Sequence, residues 1–275
     1  MSDPERDQRT RRREASRPRG LVGRPSSRAP RFYRLLLLGC RAIARVLGFR
    51  FVLEGAERLP VDADGRPAGG WIAAGLPHRT WIDPFVLALL LPVEPRINWL
   101  GDGRAIYRSR LRAFVFSRIG GVIPIWPSGG RKAFEEHVDA ARSVIDAGAV
   151  FGLFPEVGPA VPVDRARPLS PGIAYFALRT GARIVPLVLG GAHELYLGRA
   201  IILHVLEPVT ARHLAGLAPD APLPEPGTNE ERELAGVITH RLQALVAGPV
   251  AELHARSEPP PGTRKRWRWL TTATH

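Results

Sequence analysis

Residues 74–85 read Ala-Gly-Leu-Pro-His-Arg-Thr-Trp-Ile-Asp-Pro-Phe, with His78 and Asp83 as the polar pair of interest. An apolar, strand-like run ends near Gly75 and an apolar, helix-like run begins at Pro84, so the stretch reads as a strand-to-helix turn. Such turns, at the carboxyl ends of strands, are where open α/β sheets place their chemistry. On a single helix, residues five apart point about 140° away from each other. His78 and Asp83 therefore meet only if His78 lies in the loop and Asp83 opens the helix. Proline at the first helical position and aspartate at the N-cap before it are both favourable. Two readings remain: a histidine whose ring nitrogen is held by a carboxylate, leaving the other nitrogen as a general base, or a helix cap beside an ordinary loop histidine.

Working outward, short apolar runs alternate with helical patterns from Arg50 onward. The predicted strands cover 51–53, 71–74, 97–100, 122–125, 150–154, 184–189 and 201–205, and the predicted helices 84–91, 108–119, 132–147 and 172–180. That alternation predicts an α/β fold: a mixed, largely parallel sheet flanked by helices. A Pro-rich stretch at 217–227 precedes a further helix from about Asn229 to Ala247, and Thr228 with Glu231 three residues on forms a capping-box signature for its start. If the strands run parallel, four polar features crowd one sheet edge: His78, the turn at 127–132, Glu156 and His193. His193 and His137 read as structural or solvent-facing residues, His137 within a helix among Glu135, Glu136 and Asp139.

The chain has 275 residues, 45% of them hydrophobic, enough to bury a sizeable core. One cysteine, Cys40, excludes an intramolecular disulfide and a cysteine metal cluster. Net charge is +13, concentrated at the two ends: residues 1–34 hold eleven Arg against four acidic side chains, and residues 258–275 hold four basic side chains against one Glu. The expected organisation is a disordered basic arm over 1–30, an α/β domain over 31–255 and a flexible basic tail over 256–275. Polyanionic surfaces, either anionic lipid or nucleic acid, suit such ends. Only Lys132 and Lys265 are lysines, so a general bias toward arginine accounts for the charge equally well. No secretory signal and no 18-residue apolar run is read from the chain.

Between the arm and the first strand, Phe32 to Phe49 forms an N-terminal amphipathic helix in which Arg34, Arg41 and Arg45 share a face. Such a helix either lies in a membrane interface with its arginines toward phosphates or docks on the protein core. The Arg-Lys-Arg-Trp-Arg-Trp tail, 264–269, has a composition that suits an interface with lipid or nucleic acid.

Several chemistries are excluded by their missing signatures. There is no Gly-x-Ser-x-Gly elbow and no Gly-Lys-Ser/Thr phosphate loop, and Gly101-Asp-Gly103 stops short of a dinucleotide fingerprint. A histidine and an aspartate without a protein nucleophile suggest that an acceptor's own hydroxyl attacks, with His78 taking its proton.

Taken together, His78-Arg-Thr-Trp-Ile-Asp83 resembles the His-x4-Asp motif of the glycerolipid acyltransferases, the family of glycerol-phosphate and lysophosphatidic acid acyltransferases. Gly120-Gly-Val-Ile-Pro-Ile125 is similar to their second motif, Phe154-Pro-Glu156 to the start of their third, and the stretch from Pro171 to Val185-Pro186 to the approach to their fourth. The resemblance spans about residues 50–206, with the motifs in family order. It implies transfer of a fatty acyl group from acyl-CoA or acyl-ACP to a hydroxyl of a lysophospholipid or related lipid acceptor, at the cytoplasmic face of a membrane, with no metal or prosthetic group. His78 and Asp83 would be catalytic, and Glu156 and Gly158 would bind substrate. The chain departs from the family at Pro127, and at Val157-Gly158-Pro159 where Gly-Thr-Arg is usual, so two phosphate-holding arginines are missing; Arg131, Arg165 and Arg167 are the candidates to replace them. A non-catalytic lipid-binding protein of the same fold and a nucleic-acid-binding protein are the alternatives.

Overall fold

The computed structural model describes residues 24–126 and 130–265. Most of the basic arm, the Trp-Arg-Trp end of the tail and Pro127 lie outside the described residues.

All seven predicted strands form one sheet. They are β1 (Arg50–Glu54), β2 (Trp71–Leu76), β3 (Ile97–Asp102), β4 (Val122–Ile125), β5 (Val150–Leu153), β6 (Ile184–Gly190) and β7 (Ala200–Val205), in the spatial order β1-β7-β6-β2-β5-β3-β4. The five strands from β6 to β4 are parallel, and β7 reverses the direction against β6 with β1 parallel to β7. The sheet is therefore mixed and largely parallel, as the alternation of elements requires. Helices cover both faces, because a parallel sheet leaves apolar side chains on each side. Along β2 every residue is buried. Ile72, Ala74 and Leu76 enter one core with Phe151, Ile173 and Ile238, while Trp71 and Ala73 enter the other with Val86, Leu87 and Leu203.

The helices are α1 (Arg31–Val46), α2 (Asp83–Leu90), α3 (Gly103–Ile106), α4 (Arg110–Ile119), α5 (Gly130–Asp146), α6 (Gly172–Thr180), α7 (Ala211–Ala215) and α8 (Asn229–Ser257). The short α3 and α7 lack enough residues to show a period. The expected end of the last helix at Ala247 is corrected: α8 continues through Pro249 to Ser257. Val246, Val250 and Leu253 stay buried along one face, Leu253 lying over Gly190 of β6, so packing outweighs the hydrogen bond that Pro249 removes. At the start of α8, Thr228 accepts a bond from the Glu231 N–H at 3.2 Å, as expected, but the Glu231 carboxylate does not return to Thr228. It accepts from the Gly227 N–H at 2.7 Å and forms a buried ion pair with Arg179 of α6, 2.7 Å from Nε.

His137 takes the structural of its two expected roles, not the solvent-facing one. It is buried, its Nε2 3.2 Å from the carbonyl oxygen of Pro124, which ties α5 to β4.

On α1, Tyr33, Leu37, Cys40 and Ala44 turn inward, and the helix packs on α2 and α4. Two of its arginines serve the protein: Arg41 donates to the carbonyls of Leu89 and Leu91 at the end of α2, each at 2.9 Å, and Arg34 to Ala29 and Glu94. Leu35, Leu38, Ile43 and Val46 remain exposed on the opposite side, Val46 by 87%.

Candidate active site

β2 is central, at the point where the chain, having built β3, β4 and β5 on one side, crosses to build β6 and β7 on the other. Its carboxyl end is the switch-point position of an open α/β sheet. His78 leaves this end two residues after Leu76, and α2 begins at Asp83, one residue earlier than the N-cap reading placed it. The difference follows from where the carboxylate points. Asp83 caps the turn before the helix: Oδ2 accepts from the Arg79 and Thr80 N–H groups, both at 2.7 Å, and Oδ1 accepts from Thr80 Oγ1 at 2.8 Å.

The same Oδ2 lies 3.0 Å from His78 Nδ1. Asp83 is only 1% exposed, whereas the His78 side chain is 40% exposed. The carboxylate is thus a fixed, water-excluded partner that holds one ring nitrogen and orients the other, Nε2, toward an incoming group. The ring itself is clamped flat. Phe154, just past β5, stacks on it with centroids 4.3 Å apart, and Trp99 of β3 stacks on Phe154 at 5.3 Å.

Glu156 joins this assembly through its side chain. Its Oε2 accepts from the His78 N–H at 2.8 Å and its Oε1 from the Arg167 N–H at 2.9 Å. It therefore fixes the backbone at His78 to the segment that returns after β5, and both oxygens already face protein donors. Arg167 lies beside it, half-buried, with a buried Nε that has no hydrogen-bond partner among the described residues. Arg165 is exposed, and its carbonyl accepts from Arg79 Nη2. Gly158 is exposed, with φ of +85°, in the same segment. Arg131 is not brought to His78: it sits at the start of α5 with its guanidinium against Gly227 and near Glu231.

Of the four features expected at one edge, His78, Glu156 and His193 follow the adjacent strands β2, β5 and β6. The fourth feature follows β4, the last strand in the sheet order, and its residues 127–129 lie outside the described residues.

Arg79, Thr80, Phe154 and Trp99 are site residues that the sequence reading passed over. Thr80 and Asp83 carried a signal, since Ser/Thr followed three residues later by an acidic side chain marks a helix start. Arg79 had none. Its guanidinium tucks under the segment at 162–165, leaving buried Nε and Nη1 without partners among the described residues. Burial pulls its pKa below the ordinary arginine value, Glu156 opposes that, and Arg167 adds to it. A cleft beside it is lined by Pro77, Arg79, Asp83, Gly191, His193 and His254.

Together these features define an α/β protein with an oriented histidine–carboxylate pair at the switch point of its sheet and a basic side chain next to it. The chain belongs to the acyltransferase family, whose sequence profile matches residues 51–190. The acyltransferase resemblance of the motifs is thereby borne out. In fold it is similar to the crystal structure of the 1-acyl-sn-glycerophosphate (LPA) acyltransferase PlsC from Thermotoga maritima, with a TM-score of 0.53 and 18% identity over 82% of this chain and 83% of that one. No curated protein matches the chain.

Proposed function

We propose that the protein moves a fatty acyl group from an acyl thioester, acyl-CoA or acyl-ACP, to a hydroxyl of a lysophospholipid or related lipid acceptor, as a step of phospholipid biosynthesis. The observation that carries the reading is the 3.0 Å contact between His78 Nδ1 and the buried Asp83 carboxylate. His78 Nε2 removes the acceptor's hydroxyl proton as the oxygen attacks the thioester carbonyl. Asp83 offsets the charge of the imidazolium that forms. The tetrahedral intermediate collapses with loss of the carbon–sulfur bond, and the departing thiolate takes the proton from His78. Ester and free thiol leave, and the histidine is returned neutral. The step needs no metal or prosthetic group.

Arg167 and Arg79 supply positive charge next to the pair and support an anionic or strongly polar acceptor headgroup. Glu156 acts by holding the His78 backbone, and Gly158 and Arg165 belong to the segment that borders the acceptor. Arg131 is left out of this set by its position at Gly227.

The outward apolar side of α1 supports a peripheral seat on the cytoplasmic face of an anionic membrane. No helix of the described residues is long and apolar enough to cross a bilayer. An interfacial helix buries its apolar side in the headgroup boundary and lets flanking arginines reach phosphates. On α1 the exposed Leu35, Leu38, Ile43 and Val46 face away from the core, and Arg31 and Arg45 are also exposed.

The deciding experiment is release of free thiol from acyl-CoA by wild type and His78→Ala, with phosphorylated and unphosphorylated lipid acceptors. Acceptor-dependent release that is lost in the variant supports the reading. Equal release by both proteins, or vesicle binding without release, overturns it in favour of a non-catalytic lipid-binding protein.

A further inference from the structure

Beyond β6 the chain turns through Gly190 and Gly191 to His193, and the unexpected extension of α8 brings two more ligating side chains to the same place. His254 and Glu258 are four residues apart, a spacing that puts both on one side of the helix end. His193 Nε2 lies 3.4 Å from Glu258 Oε1, and His254 Nδ1 lies 3.8 Å from that same oxygen. One ligand atom from each of the three residues falls within 4.8 Å of the other two. In a tetrahedral zinc site with bonds of about 2.0–2.1 Å, ligand atoms stand about 3.4 Å apart. The three side chains are thus close to the spacing such an ion demands, before any adjustment of rotamers.

We propose that His193, His254 and Glu258 form a three-ligand site for a zinc-like divalent transition metal ion, tying the end of β6 to the end of α8. Two imidazoles and one carboxylate form a nitrogen-rich set, which suits zinc better than magnesium or calcium. Both histidines border the cleft that also reaches Asp83 and Arg79. An ion there would hold the β6 side of the cleft wall through its protein ligands and present its open position to the cleft. The site is separate from the acyl-transfer pair and is not needed for the proposed reaction.

The surrounding charges set the strength. Arg199, 1% exposed, places Nη2 3.9 Å from Glu258 Oε1 and donates through Nε to the Gly191 carbonyl at 3.1 Å. It competes with a cation for the Glu258 charge. Glu194 pairs with Lys265 at 2.5 Å, and so adds little net negative charge to the site. An ion of moderate affinity follows, with Arg199 as its main opponent.

The test uses the full chain stripped with a chelator and titrated with zinc chloride by calorimetry, alongside visible spectra with cobalt chloride. One ion per chain is expected, with the intense visible bands of a four-coordinate cobalt site and a raised melting temperature with zinc. His193→Gln, His254→Gln and Glu258→Gln should each weaken zinc binding by about tenfold or more, while His240→Gln, on the exposed side of α8, leaves it unchanged. Arg199→Gln should tighten it. No binding by wild type, a cobalt spectrum indistinguishable from that of the aqueous ion, or full binding in the triple glutamine variant would overturn the proposal. The wild-type spectrum decides even if a variant fails to fold. Retention of acyl transfer by the metal-free protein separates this test from that of the proposed function.

Discussion

Gly75 and Phe154 are in a contact that admits no side chain at position 75: a Cβ there would lie 2.5 Å from the Phe154 ring. The same ring stacks on His78. Glycine in the last turn of β2 is therefore what lets the aromatic platform sit beneath the imidazole. Gly75→Ala should push Phe154 aside and tilt His78 away from its working orientation. A misplacement of that kind costs up to about 100-fold in turnover, together with about 1–3 kcal/mol of stability from overpacking. Thiol-release kinetics and a urea melt on one preparation check both. Full turnover in Gly75→Ala would show that the platform does not position the histidine.

Asp83 accepts four hydrogen bonds, three of them from Arg79 and Thr80, so its role is partly architectural. Asp83→Asn keeps the shape but removes the charge that stabilises an imidazolium and alters which ring nitrogen is held. Turnover should fall by roughly 1,000-fold or more, by analogy with other histidine–carboxylate pairs. Thr80→Val removes only the hydroxyl bond to Oδ1 and should cost about 10- to 150-fold at most, since one neutral-to-charged hydrogen bond contributes about 1.5–3 kcal/mol. A larger loss in Thr80→Val than in Asp83→Asn would contradict this ranking.

Glu231 and Arg179 join α8 to α6 through an ion pair whose side chains are 3% and 8% exposed. Burial pushes the Glu231 carboxyl up, but the bonds from Arg179 and the Gly227 N–H outweigh it and hold its pKa below 4.5, the ordinary value. A folded-state pKa lower than the unfolded one gives stability that is complete above the unfolded value and lost as pH falls through the folded one. Glu231→Gln should therefore destabilise the protein by about 3 kcal/mol at neutral pH. The difference from wild type should shrink steadily below about pH 4.5. Denaturant melts at pH 7 and at acid pH measure it, and a difference that grows in acid would reverse the assigned sign.

The outer side of α1 is predicted to bind anionic vesicles. Each of Leu35, Ile43 and Val46 would bury about 1.5–3 kcal/mol of apolar side chain in the interface. Replacing any one with Glu should lower vesicle partitioning by about tenfold or more without changing the melting temperature. Leu37→Ala, on the inward side, should do the opposite, lowering the melting temperature while leaving the outer face intact. Sedimentation with anionic vesicles separates the two behaviours. Equal partitioning of wild type and Val46→Glu would remove α1 from the membrane.

Much of this was legible because it is local. Short apolar runs marked all seven strands, and β2, β5 and β6, buried along their whole length, read as continuous apolar segments. The His78–Asp83 pair was legible because five residues spanning a loop and a helix start leave only one way to meet. Arg79 was not, because its significance depends on the segment at 162–165 folding over it, more than eighty residues away. Arg131 looked equivalent to Arg167 on charge alone; only the placement of α5 against the start of α8 separates them.

Glycine, proline and apolar periodicity along the chain were sufficient for the α/β class, the order of elements and the candidate pair, since these follow from backbone sterics and from neighbours within a few residues. Sheet order, the Phe154 and Trp99 platform, the passage of α8 through Pro249 and the meeting of His193 with His254 and Glu258 were decided by packing between distant segments. Proline lowers local helix stability whatever surrounds it, but the apolar side of α8 against β6 overrules it, and only the folded chain contains that surface.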